Sequence, residues 1–136
     1  MATTILAHAT VTGASGYAQT VATSSHVLHS DEPQRRGGTN TGASPFELML
    51  SGLGACTAIT LRMYSERKQW QLGTITVNLR LLKDGDDQPR IERKISVSNP
   101  LGAEEQAKLL EIADKTPVTR ALAPGLPIQT VLEAAA

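Results

Sequence analysis

Apolar and polar positions alternate along much of the chain, and the places where the period changes divide it into elements. "TILAHATVT" and "AQTVATSS" carry β-branched residues in short alternation on either side of Gly13–Gly16, a pattern that predicts a hairpin whose glycines take positive φ. "HVLHSD" predicts a third short strand, and "DEPQRRGGTNTGAS" is dense in turn residues and predicts a loop. From Pro45 to about Lys68 the period becomes helical. Ser44, Pro45 and Glu47 supply a cap hydroxyl, a first-turn proline and a capping-box carboxylate. The first four turns are apolar nearly all round, so burial is expected there, with a wet end over "RMYSERKQ".

Alternation returns on both sides of "DGDDQP" and predicts an antiparallel hairpin with Val77, Leu79 and Leu81 on one side. "AEEQAKLLEIADK" predicts an amphipathic helix with Leu109, Ile112 and Ala113 inward. "TPVTRAL" reads as a short turn and "PIQTVLEA" as a last strand. The order β-β-(β)-α-β-β-α-β places the chain in the α+β class, and 136 residues without a linker or repeat suit one domain over 1–136.

Charge narrows the function classes. Thirteen basic and thirteen acidic side chains cancel, and aromatics make up 3%, so neither a basic field nor a set of stacking platforms recommends nucleic acid. The apolar run within the long helix is too short for a membrane span, and the first thirteen residues lack a basic-then-apolar leader. A soluble, cytoplasmic protein is expected. A single cysteine, Cys56, fits a reducing compartment and leaves that thiol as packing or as chemistry.

Several motifs have competing readings. "RRGGTNTGASP" puts glycines ahead of a helix N-terminus, but the Gly-Lys-Ser/Thr ending of a phosphate loop is missing. His26 and His29 precede Asp31 and Glu32, yet residues three apart on a strand face opposite sides, so no metal site is expected. Glu47 is either a capping carboxylate or a catalytic one. Nine residues from Cys56, it projects from the opposite side of the helix. Gly52 and Gly54 each cost about 1 kcal/mol in a helix interior, so something requires the space. Gly52, Cys56 and Thr60 are spaced by four and share a face with no bulk around the sulfur.

"GGTNTGASPFELMLSGLGACTAIT" resembles the central motif of the OsmC/Ohr family, the osmotically inducible and organic-hydroperoxide-resistance proteins. "HVLHSDEP", "LRMYSERKQW", "LLEIADK" and "PIQTVL" resemble its OsmC-like branch, so the likeness spans most of the chain. The resemblance implies an intertwined α+β homodimer acting in the stress response. A central helix would carry a peroxidatic cysteine, here Cys56, and no cofactor would be needed. By the same resemblance, Gly52 and Gly54 let a partner helix or a substrate tail approach. Gly52, Thr60 and Phe46 then line a pocket for a small hydroperoxide, and Arg36 or Arg62 supplies positive charge.

The sequence departs from the family pattern at three places. Thr116 stands where the second, resolving cysteine is usual, and a hydroxyl cannot form that disulfide. Phe46 takes the place of the glutamate that follows the proline, and Glu47 falls one residue later. Ser15 replaces an arginine in the early turn. The expected reading is therefore a one-cysteine hydroperoxide reductase that needs an external thiol. The alternatives are a protein that binds an apolar or thiol ligand in a dimer groove without turnover, or a purely structural Cys56 with Thr116 capping the turn at Pro117.

Overall fold

The computed structural model describes residues 2–133 and 135, and these form two compact units divided within one helix, after Ser51. In the first unit, β1 (Thr10–Thr12), β2 (Gln19–Ala22) and β3 (Val27–Ser30) make an antiparallel sheet in that order. The predicted glycine turn is present, with Gly16 at φ 65°, whereas Gly13 does not take a positive φ. β1 is shorter than the alternation from Thr4 suggests. Thr10 already pairs with Ala22, the last residue of β2, so the chain before Thr10 runs past the end of that strand. Ile5 and Leu6 are exposed there.

The predicted loop follows β3 and contains one 3-10 turn, Gln34–Arg36. It closes back on the sheet: Ser30 Oγ donates to the Ala43 carbonyl at 2.8 Å, and the Asp31 N–H donates to the same carbonyl at 3.2 Å. Gly42 is required by that closure, since a Cβ at this position would lie 2.3 Å from the His29 carbonyl oxygen. The loop delivers the chain to α1 (Pro45–Lys68), whose start is the predicted capping box. The Ser44 N–H donates to Glu47 Oε1 at 2.9 Å and the Glu47 N–H donates to Ser44 Oγ at 3.3 Å.

The second unit runs from Gly52. Helix α1 ends at Lys68, and Gln69 after it takes φ 59° where glycine is usual, while the Trp70 N–H reaches back to the Ser65 carbonyl at 2.8 Å. β4 (Ile75–Leu82) and β5 (Arg90–Val97) pair antiparallel from Ile75↔Val97 to Leu82↔Arg90. α2 (Ala103–Ala113) follows and buries Leu109 and Ala113, the face predicted from its spacing. Leu61, Leu72 and Leu109 form the buried core, surrounded by Tyr64, Trp70, Ile75, Ile95, Val97 and Ile112.

Three expectations are corrected. "TPVTRAL" is not a turn: Pro117–Leu122 form a short helix, α3, because proline at the first position pre-sets its φ and leaves no N–H to satisfy. The last strand is absent over residues 127–133, and Ala134 lies outside the described residues. Ile128, Val131 and Leu132 there are exposed, and no strand among the described residues pairs with them. Finally, the apolar turns of α1 are not buried all round. Leu53, Gly54, Thr57, Leu61 and Ser65 are covered, whereas Ile59 and Met63 on another face stay open to solvent in the single chain. No helix among the described residues is long and apolar enough to cross a membrane.

Candidate functional site

Cys56 sits in the middle of α1, half-buried, and is the free cysteine of the chain. The two helical glycines just before it differ in purpose. A Cβ on Gly54 would lie 2.7 Å from Leu79 Cδ1, so this glycine lets α1 approach its own hairpin rather than a partner or substrate. A Cβ on Gly52 would meet nothing within 4 Å. Gly52 is exposed and lies one turn before the half-buried Cys56 and two before the half-buried Thr60.

This contrast gives a prediction. Gly52→Ala should gain up to about 1 kcal/mol of stability from helix propensity, while Gly54→Val should lose about 1–3 kcal/mol by overpacking against Leu79. Urea denaturation of the two variants, with Trp70 as the optical probe, measures both. If Gly52 is kept open for access to the sulfur, Gly52→Ala should also slow reaction of Cys56.

The residue after Cys56 points inward. Thr57 is fully buried, and its hydroxyl donates to the Leu53 carbonyl at 2.7 Å, one turn back. Its oxygen accepts from Arg93 Nη1 of β5 at 3.0 Å. The same Nη1 donates to Thr119 Oγ1 at 2.9 Å, and Nη2 donates to the Ala113 carbonyl at 3.1 Å and to Asp114 Oδ1 at 3.3 Å. Thr116 is fully buried at the N-cap of α3, yet its hydroxyl caps no N–H. It lies 2.6 Å from Thr119 Oγ1 instead. A groove of about 510 Å³ opens beside this cluster, with Leu53, Ile91, Leu110 and Leu122 as apolar lining and Arg93 and Thr119 as polar lining.

Arg93 was not among the sequence candidates, although a signal exists. Ile91, Arg93, Ile95 and Val97 share one face of β5, and a charge on an apolar face requires partners. The cluster leaves none of its buried polar atoms unsatisfied.

The remaining candidates divide between the units. Gly52, Thr60, Arg62 and Thr116 belong with Cys56 to the second unit, and Arg36, Phe46 and Glu47 belong to the first. Arg62 donates to the Gly73 carbonyl. Phe46 is exposed. Glu47 is held below the usual carboxylate range, first by the Ser44 N–H and hydroxyl and then by the charge of Arg35, so it acts as a cap in this geometry. Among the described residues no three His, Cys, Asp or Glu side chains gather closely enough to hold a metal ion.

Residues 38–131 match the family model for OsmC-like proteins. The chain belongs to the OsmC-like family. Solved structures share the fold at low identity. An osmotic stress and detoxification response protein of Psychrobacter arcticus, so described provisionally, superposes with a TM-score of 0.75 at 15% identity, over 88% of this chain and 90% of the other. An organic hydroperoxide resistance protein of Elizabethkingia anophelis gives 0.62 at 23% identity, over 88% and 89%. The organic hydroperoxide resistance protein OhrB of Bacillus subtilis gives 0.58 at 21%, over 85% and 89%. No curated protein matches the sequence. This OsmC-like chain therefore carries the family's mixed α and β architecture, with Thr116 built into a hydroxyl and guanidinium cluster.

Proposed function

We propose that this protein is a one-cysteine, thiol-dependent reductase of organic hydroperoxides with Cys56 as the peroxidatic group. The observation that carries the reading is the half-buried Cys56 one turn from the open side of Gly52, in a family whose members include organic hydroperoxide resistance proteins. The Cys56 thiolate attacks the distal oxygen of ROOH. The O–O bond breaks, ROH leaves after taking a proton, and the sulfur becomes a sulfenic acid. An external thiol then attacks that sulfur, forming a mixed disulfide and releasing water, and a second thiol equivalent frees Cys56. Overall, ROOH and two thiols give ROH, water and a disulfide. The second thiol must come from outside because Thr116 has a hydroxyl, already engaged with Thr119.

A cytoplasmic homodimer is part of this reading. The open apolar side chains Ile59 and Met63 on α1, and Ile128, Val131 and Leu132 in the C-terminal segment, are the surfaces a second copy would cover. A second reading, ligand binding without turnover, is favoured by the use of Glu47 as a cap and of Arg62 on the Gly73 carbonyl.

The deciding experiment is consumption of cumene hydroperoxide by the purified protein with dithiothreitol as reductant. Cys56→Ser should lose the protein-dependent rate by on the order of 100-fold or more, as expected when a covalent nucleophile is removed. Equal rates in the two proteins would overturn the reductase reading.

A further inference from the structure

The geometry points to Arg93 as a positioning residue for Cys56, acting through Thr57. The inference rests on Cys56 being the reacting group, and its observations are independent of peroxide chemistry. Arg93 spends one nitrogen on two helices: Nη1 donates to Thr57 of α1 at 3.0 Å and to Thr119 of α3 at 2.9 Å. Its other terminal nitrogen holds the last carbonyl of α2, Ala113, at 3.1 Å. Three helices thus converge on one guanidinium planted on the hairpin.

Arginine can only donate, which fixes the sense of the two bonds from its Nη1. Thr57 donates to Leu53, so toward Arg93 it can only accept. Thr119 Oγ1 also lies 2.6 Å from Thr116 Oγ1 and 3.2 Å from the Ala113 carbonyl, so its one proton serves one of the two while the oxygen accepts from Arg93. The guanidinium thus donates toward Thr57 on one helix and Thr119 on another, and the sense of both bonds is fixed by the donor.

Burial makes that geometry stiff. Thr57 and Thr116 are fully covered and the Arg93 side chain is 13% exposed. The ion pair with Asp114, whose side chain is 83% exposed, adds little by comparison. Cys56 is covalently next to Thr57, so the turn of α1 that aims the sulfur is the turn that Arg93 holds. The planar fork of arginine suits this task, and lysine could reach only part of the set.

The test follows alkylation of Cys56 by iodoacetamide across pH in wild type, Thr57→Val, Arg93→Met and the double variant, each checked for folding by circular dichroism. In the folded single variants the rate constant extrapolated to full deprotonation should rise about fivefold as the turn loosens. The double variant should add nothing further, because both substitutions cut the same connection. Thr57→Ser keeps the hydroxyl and should restore the wild-type rate.

Rates within about twofold of wild type in both single variants, or effects that multiply in the double variant, would overturn the proposal even if the melting temperature falls. Should Arg93→Met fail to fold, the comparison of Thr57→Val with Thr57→Ser decides it alone. Since the probe is iodoacetamide, a wild type that consumes no peroxide would sink the reductase reading and leave this one standing or falling by its own rates.

Discussion

Leu61→Ala should destabilise the second unit by about 2–5 kcal/mol, seen as a lower urea midpoint of Trp70 fluorescence with an unchanged slope. Leu61 is fully buried and forms the core with Leu72 and Leu109, and Trp70, the only tryptophan, packs against that cluster. Truncation removes the transfer energy of the deleted carbons and leaves a cavity that the surrounding elements fill only in part. A cost below about 0.5 kcal/mol, the range of ordinary surface substitutions, would show that the core is placed elsewhere.

The elements that local chemistry determines were readable from the sequence. Ser44, Pro45 and Glu47 announce the start of α1 at Pro45, and both capping-box bonds form there. The alternation on each side of "DGDDQP" gives the β4–β5 hairpin, and the spacing of Leu109 and Ala113 gives the inner face of α2. What failed depended on distant partners. "PIQTVL" has a strand's alternation, but a strand also needs a neighbour, and none among the described residues pairs with it. The turns of α1 are apolar on every side, and nothing within the segment says which face its own chain covers.

The site was legible only at its covalent centre. Cys56 and the small-residue face stand out in the sequence, whereas the bonds that tie Thr57 to Thr119 pass through a β5 residue separated from them by 36 and 26 positions. Gly54 illustrates the same limit. Its cost in a helix signals a close approach, but whether a partner, a ligand or Leu79 does the approaching is a fact of packing.

Asp31→Ala should release the segment that leads into α1, with trypsin cleavage after Arg35 or Arg36 faster by on the order of tenfold or more. Asp31 is 2% exposed, and its carboxylate is the organising acceptor of this loop. Its Oδ1 accepts the Glu32 N–H at 2.7 Å. Its Oδ2 accepts from Thr39 Oγ1 at 2.7 Å, Thr41 Oγ1 at 2.8 Å, the Thr41 N–H at 3.1 Å and the Thr39 N–H at 3.2 Å. Alanine would leave these donors without their shared acceptor, and asparagine would turn an amide N–H₂ toward at least one of them.

These bonds, led by the Thr39 hydroxyl and the Thr41 N–H, hold the carboxyl well below the usual carboxylate range against the opposing effect of burial. A depressed folded-state pKa contributes stability that is fully present above the unfolded value, about 3.9, and that fades as pH falls toward the folded value. Amide exchange of Thr39 and Thr41 should therefore accelerate, relative to intrinsic rates, as the solution is acidified below about pH 4, and Asp31→Asn should remove that acid dependence. Exchange that stays equally protected in wild type and Asp31→Asn from pH 7 to pH 3 would show that the loop is held by the Ser30 and Asp31 contacts to Ala43 and not by the buried charge.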